Sequence, residues 1–331
     1  MEKKVYNWGI LGPGKIARKF AYELKQLDNA RLYAVGSRNV ERAKEFAGTF
    51  GLEHYYGNYN DLVADPQVDI IYIASPHSHH AEHAQLCMNN KKAVLCEKAL
   101  GINQAEVERM LECARKNEVF FMEAFYTPHQ PSYVKAKQII NSGELGKIKY
   151  IQGWFGFNKS PYDPADRLMN PDLGGGALLD IGLYPVFDMI YFLGGPEQII
   201  AKAEFSETGV DQSISIGFDY NEGVNTSIFA TFMAASGVGT DIFCEKGTLH
   251  LRRLSSIDQQ LTVETSGSEV NRYHWKDPAT GGLKLEAADV MKCMDENHLQ
   301  SDIMPHSLSL SLISTLDKIR SKAGIIYPGR D

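Results

Sequence analysis

The chain has 331 residues, a formal charge of −7 at pH 7 and an apolar share of 44 %, a length that suits two domains because a single core rarely grows past roughly 250–300 residues. A mildly acidic chain without a basic block is a poor partner for nucleic acid or an anionic membrane surface. Five cysteines, odd in number and without a C-x-x-C pair, argue against a disulfide framework or a zinc site and for free thiols in a reducing compartment.

The segment Met1-Glu2-Lys3-Lys4-Val5 leads directly into a strand pattern without a signal-peptide core, and no uncharged apolar run approaches about 18 residues, so a cytoplasmic location is expected. Tyr6–Leu11 reads as a buried strand and Ile16–Leu27 as a helix. Arg31–Gly36 is a strand, Val40–Phe50 a helix, Asn60–Val63 a short helix and Val68–Ala74 a nearly all-apolar strand, as a parallel strand covered on both faces should be. His79–Asn89 is helical, Ala93–Cys96 a strand, Gln104–Lys116 a helix and Val119–Glu123 a strand. This alternation predicts a doubly wound parallel sheet.

The pattern changes near residue 126. A helix is expected at His129–Asn141, then strands at Lys147–Phe157, Gln198–Phe205, Ser213–Tyr220, Asn225–Phe232, Gly239–Cys244, Gly247–Leu251, Gln260–Thr265 and Val270–Tyr273. Successive strands parted by Gly, Asn, Ser and Asp imply a large, mostly antiparallel open sheet. Helices at Gly176–Leu193, Leu285–Leu299 and His306–Lys322 complete an α/β chain. Pro128 and Pro131 mark the boundary, giving a Rossmann domain over 1–125 and an α+β domain over 126–331.

The first strand–helix turn, Gly12-Pro13-Gly14-Lys15-Ile16-Ala17, matches G-x-G-x-x-A. Gly12 permits the tight turn, Gly14 lets the backbone approach a pyrophosphate, and Ala17 lets helix and strand pack closely. The helix N-terminus then offers free N–H groups to phosphates. NAD sites place an acid at the end of the second strand, roughly 20 residues on. Here the sequence is Gly36-Ser37-Arg38-Asn39, without an acid. Ser37 and Arg38 suit a 2′-phosphate, so NADP(H) is the preferred cofactor and NAD remains possible.

Ligands of an open α/β sheet sit outside the carboxyl ends of its strands. Cys96-Glu97-Lys98 and Glu123 lie there. In the second half, Gly174-Gly175-Gly176 precede a helix bearing Asp180, Tyr184 and Asp188 at i, i+4, i+8, which predicts one shared face, the glycines letting backbone pass close to a ligand or the other domain. Tyr184 is the chain's best proton donor or acceptor. An ordinary tyrosine titrates near ~10, and an adjacent Lys98 ammonium would lower that. Asp180 would orient substrate hydroxyls or balance Lys98. His77, His79, His80 and His83 lack a completing carboxylate or thiol, so no metal is expected; His77 or His80 would lie near the cofactor or simply start a helix. Among the aromatic residues Phe120, Phe121, Phe125, Tyr126, Trp154, Phe155 and Phe157, most read as core, with Phe125 and Trp154 walling a substrate pocket.

Over nearly its whole length the chain resembles the Gfo/Idh/MocA oxidoreductases. The likeness runs through Gly9-Ile10-Leu11-Gly12-Pro13-Gly14, Ala74-Ser75-Pro76-His77-Ser78-His79-His80, Cys96-Glu97-Lys98 and Gly175-Gly176-Ala177-Leu178-Leu179-Asp180-Ile181-Gly182-Leu183-Tyr184. Met122-Glu123-Ala124-Phe125-Tyr126 and Gly324-Ile325-Ile326-Tyr327-Pro328 look like the branch of dimeric dihydrodiol dehydrogenases and NADP-dependent D-xylose dehydrogenases. The resemblance implies a lysine, Lys98, beside the nicotinamide and a tyrosine, Tyr184, where many members have histidine. It also implies a homo-oligomer, a dimer in this branch, formed through the C-terminal sheet. Ala99 departs from the family's proline, and Thr127 from an arginine common in the branch.

The cofactor set expected from pattern and resemblance is Gly12, Pro13, Gly14, Lys15, Ile16, Ser37, Arg38, Ser75, Pro76, His77, His80, Glu97 and Lys98. The catalytic set is Lys98, Tyr184 and Asp180, with Phe125, Trp154, Asp180 and Tyr184 at the substrate. The expected activity is hydride transfer between NADP(H) and a sugar, cyclic polyol or trans-dihydrodiol. The alternatives are an NAD-linked inositol-type dehydrogenase and a non-catalytic NADP(H) sensor, although a sensor has no need of Lys98 and Tyr184 together.

Overall fold

A computed structural model describes residues 4–160, 162–253, 255, 257–265, 270–276 and 281–330. In chain order the elements are β1 (Tyr6–Leu11), α1 (Lys15–Leu24), β2 (Ala30–Gly36), α2 (Val40–Phe50), β3 (His54–Tyr56), α3 (Tyr59–Ala64), β4 (Ile70–Ile73), α4 (His80–Asn89), β5 (Ala93–Glu97), α5 (Gln104–Asn117) and β6 (Phe121–Ala124). They continue with α6 (Pro131–Ser142), β7 (Ile148–Gly156), α7 (Leu183–Leu193), β8 (Gln198–Phe205), β9 (Asp211–Asp219), β10 (Asn225–Thr231), β11 (Gly237–Cys244), β12 (Gly247–Arg253), β13 (Asp258–Thr265), β14 (Val270–Lys276), α8 (Gly282–Asp295) and α9 (His306–Ala323).

The chain divides into two compact units, Met1–Tyr126 with Gly281–Leu310, and Thr127–Thr280 with Ser311–Asp331. The first break falls beside the expected one. The single linear boundary does not hold, because the chain returns to the first unit at α8. There the Lys284 amide donates to Glu23 of α1 at 3.0 Å, and the Tyr6 hydroxyl donates to Asp295 at 2.8 Å. These contacts link residues far apart in sequence, and no local pattern encodes them.

The first unit is a six-stranded parallel sheet of order β3-β2-β1-β4-β5-β6. Every residue of β4, β5 and β6 is buried, which explains their continuous apolar runs. Trp8, Phe20 and Tyr72 pack in series at its centre, with the Phe20 and Tyr72 rings stacked 3.8 Å apart. Strand β3 escaped the sequence reading, since three residues beside a turn carry no periodicity.

The second unit is an eight-stranded sheet of order β14-β13-β12-β11-β7-β10-β9-β8. Its pairs are antiparallel except β7 with β10. Helix α7 lies on one face, where Gly153 of β7 makes room for Pro185 and Met189. The opposite face is open and carries Ile200, 69 % exposed, with the Tyr150 and Phe243 rings. The stretch Pro171–Leu193 is long and apolar enough to cross a bilayer, but it is mostly buried within the protein and reads as a core helix.

Candidate active site

In the first unit the parallel strands end on one edge, and the candidate cofactor residues gather there. Gly12 follows β1 with φ +92°, and its amide donates to Gly36 O at 3.0 Å, tying the turn to the end of β2. A Cβ on Gly12 would stand 3.3 Å from the Ala74 carbonyl, so the turn also lies against the end of β4. The junction of β1 with β4 is the switch point where dinucleotides bind in this topology.

The caps differ in a way that fits a phosphate. Helices α2, α3 and α5 start from Asn39, Asn58 and Asn103, whose side chains accept hydrogen bonds from first-turn amides. Helix α1 starts from Gly14, with no side-chain cap and no acid in its first turn. Its amides and dipole are left for an anion.

Ser37 is buried at the end of β2, and its hydroxyl accepts from the Asn39 amide at 3.2 Å. Arg38 is exposed beside Tyr59, and among the described residues neither it nor Arg42 is ion-paired. Burial pushes the Tyr59 phenol up while Arg38 and Arg42 draw it down. Two unneutralised guanidinium groups beyond β2 suit a 2′-phosphate.

Beyond β4 the histidines are structural neighbours of the edge. His80 is fully buried, its Nδ1 2.8 Å from Ala99 O and its Nε2 2.8 Å from Ser75 O. Both ring nitrogens therefore face backbone carbonyls, to one of which the neutral ring donates its single N–H, and His80 starts α4. Burial pushes its pKa down. The His83 Nδ1 lies 2.9 Å from Ser75 Oγ, and burial first, then His79, His80 and Arg38, hold that imidazole down at about 4. His77 is buried in a short 3-10 turn, its ring 5.7 Å from that of His80.

At the end of β5, the Glu97 carboxylate accepts from the Tyr72 hydroxyl and from the Lys98 amide. Lys98 is half-buried and joined to Ala99 by a cis peptide. Glu123, at the end of β6, accepts from the Leu100 amide at 3.1 Å, and complete burial pushes its carboxyl up to about 7. Phe125 is fully buried just past β6.

The second unit holds Asp180 and Tyr184. Leu178–Gly182 forms a π-helical turn that runs into α7, so Asp180 falls out of the regular helical spacing expected, whereas Tyr184 and Asp188, both inside α7, keep their i, i+4 relation. Asp180 pairs with the Arg167 guanidinium at 2.9 Å. The Tyr184 ring lies 5.6 Å from that of Phe155 and 5.0 Å from the Arg253 guanidinium. Asp188 is fully buried and takes the Thr240 hydroxyl. The glycines before the helix serve packing inside this unit: a Cβ on Gly175 would meet three backbone carbonyls, and one on Gly176 would strike Asp211.

Trp154 differs from expectation. Gly153 and Phe155 of β7 face α7, so the alternation of the strand sends Trp154 to the open face, where Arg252 stacks on it at 4.7 Å. Phe155, treated as core from sequence alone, is the β7 aromatic beside Tyr184. The signal was available in the strand's period of two, counted from Gly153. Asp211 and Arg253 were missed because nothing local marks them.

Residues 6–125 match the model of the oxidoreductase family with an NAD-binding Rossmann fold, and residues 133–250 match the GFO/IDH/MocA C-terminal domain. The chain belongs to the Gfo/Idh/MocA family. This Gfo/Idh/MocA chain is 33 % identical to trans-1,2-dihydrobenzene-1,2-diol dehydrogenase of Xenopus laevis, over 97 % of its own length and 99 % of the relative's. It is 30 % identical to D-xylose 1-dehydrogenase (NADP(+)) of Hypocrea jecorina, over 97 % and 93 %. Its fold matches a 3-ketoreductase from Actinomadura kijaniata in complex with NADP and TDP-benzene, with TM-score 0.86, 23 % identity, and 97 % and 98 % of the two chains covered. As a Gfo/Idh/MocA protein it is an oxidoreductase with an NAD(P)-binding Rossmann domain.

Proposed function

We propose that this protein is an NADP(H)-dependent dehydrogenase or reductase acting on a CH–OH/C=O group of a sugar, cyclic polyol or trans-dihydrodiol. The observation that carries the reading is the edge of the parallel sheet, where the uncapped start of α1, the acid-free end of β2 with Arg38, and Lys98 at the end of β5 come together in one unit. The names of the relatives point to the same substrates.

When bound, the coenzyme supplies the hydride acceptor or donor. Gly12, Pro13, Gly14, Lys15 and Ile16 would hold the pyrophosphate, Ser37 and Arg38 the 2′-phosphate, and the Ser75–His77 loop with Lys98 the nicotinamide end. In oxidation, the substrate C–H electron pair leaves as hydride, and the alcohol O–H proton passes to the Tyr184 phenolate oxygen as C=O forms. Reduction returns both. A Lys98 ammonium brought beside that phenolate would stabilise it, and Asp180, held by Arg167, would orient a substrate hydroxyl. Phe125 and Phe155 supply apolar walls. Two copies associate through the open sheet face that carries Ile200 and Trp154, and the free cysteines suit the cytoplasm.

The test is calorimetric titration with NADP+ and NAD+, followed by a panel of trans-dihydrodiols, pentoses and inositols read at the NADPH absorbance band. Tighter NADP+ binding and turnover of at least one compound are expected, with Tyr184→Phe lowering kcat about 100-fold or more at unchanged NADP+ affinity. Failure to bind either coenzyme, or normal turnover in Tyr184→Phe, overturns the reading.

A further inference from the structure

We propose that Arg253 is a positioning residue for Tyr184, its buried guanidinium holding the phenol ring in place and stabilising the phenolate during proton transfer. The inference rests on Tyr184 being the proton carrier. Arg253 ends β12 and is only 7 % exposed. Its guanidinium carbon lies 5.0 Å from the centroid of the Tyr184 ring and 5.5 Å from that of Tyr133. It donates to the Thr127 hydroxyl at 3.0 Å and stands 3.8 Å from the Asp188 carboxylate. An arginine is a rare choice for such a site. A guanidinium that pairs with Asp188 at 3.8 Å and also lies against two phenol rings is placed for the rings as well as for the ion pair.

Among the described residues of this unit, Arg253 is a buried cation lying against the Tyr184 ring. Asp188, further along α7, turns to Thr240. Asp180 is neutralised by Arg167 at the start of the helix, and Asp211 caps that start by accepting from the Leu178 amide. Lys137 of α6 is bound at the far end of α7 by the Tyr191 carbonyl. Strands β7 and β10 turn Gly153, Phe155 and Ala230 toward the helix, none of which ionises. A cation beside an acid favours its ionised form, and this guanidinium lies 5.0 Å from the centre of the ring that bears the phenol. Asp188, 3.8 Å from the guanidinium, would trim this field.

The test labels the full chain with [13Cζ]tyrosine and follows the Tyr184 resonance, assigned by Tyr184→Phe, through a pH titration. Arg253→Met should raise the midpoint by about one pH unit, and Arg253→Lys should keep it near the wild-type value. Removing Arg253 alone strands Asp188 as a buried charge, so Arg253→Met/Asp188→Asn removes both and should still raise the midpoint if the single variant does not fold. A midpoint unmoved in whichever of these two variants folds overturns the proposal, as does an equal shift in Arg253→Lys, which would mean that shape and not charge is at work. The titration needs no turnover, so its outcome is separate from the Tyr184→Phe kinetics that test the underlying reading.

Discussion

His80 Nδ1 stands 2.8 Å from the carbonyl oxygen of Ala99, nineteen residues further along the chain, while its Nε2 meets Ser75 O. One imidazole thus braces the loop after β4 against the loop after β5, the segment that carries Lys98. His80→Ala removes both contacts and leaves a void in a fully buried position. A loss of about 2–4 kcal/mol is expected in urea unfolding, with KM for NADP rising as the two loops loosen. An unchanged urea midpoint would show that the brace carries no weight.

Arg38 lies exposed at the end of β2 and, among the described residues, is not ion-paired. A charge-assisted hydrogen bond to phosphate contributes about 1.5–3 kcal/mol, and each 1.4 kcal/mol is about tenfold in affinity. Arg38→Ala should therefore raise KM for NADP about tenfold or more and change KM for NAD little. Steady-state kinetics with both coenzymes read this ratio directly, and an equal effect on the two would remove Arg38 from 2′-phosphate recognition.

Glu123 is buried with its carboxyl pushed up to about 7 by desolvation, against the downward pull of Ser309 and the Leu100 amide. An unfolded glutamate titrates near ~4.3, so the folded chain holds this proton where the unfolded chain has released it. The resulting stability is fully present below about pH 4.3 and is lost as pH rises through about 7, an effect of up to about 3 kcal/mol. Asp211 in the second unit is likewise at about 7 and follows the same sign. Glu123→Gln keeps an acceptor for the Leu100 amide and should narrow the difference between urea midpoints at pH 5 and pH 8. A difference as wide as in the wild type would assign the dependence to other groups.

Gly176 has φ +117°, and a Cβ built on it would lie 2.1 Å from an Asp211 carboxylate oxygen. That carboxylate accepts from the Leu178 amide at 2.6 Å and caps the helical stretch leading to Tyr184. Gly176→Ala must strain the backbone and displace the cap, which together should cost about 3 kcal/mol or more. A large fall in Tm is expected, with Gly194→Ala as a comparison whose Cβ meets nothing within 4 Å. Equal falls in both would place the whole effect in the backbone angle.

Much of the architecture was legible because it is written in short-range pattern. The bounds of β1, α2 and β8 coincide with the reading from sequence, since period, caps and turn residues act within a few positions. The dinucleotide turn was legible for the same reason: its small residues sit side by side in the chain. The open sheet was read as mostly antiparallel, and the one parallel pair, β7 with β10, could be seen only once the strands were ordered.

By itself the sequence determined the two sheets, the family and the chemical kinds of residue at hand. Tertiary structure decided which neighbours those residues have: that α8 returns to the first unit, that Phe155 and not Trp154 lies beside Tyr184, that Asp211 caps the helix ahead of Tyr184, and that Arg253 lies against its ring. The physical reason is range. Propensity and periodicity act over a few residues, whereas desolvation and charge depend on whatever the fold brings within a few ångströms, however far apart it lies along the chain.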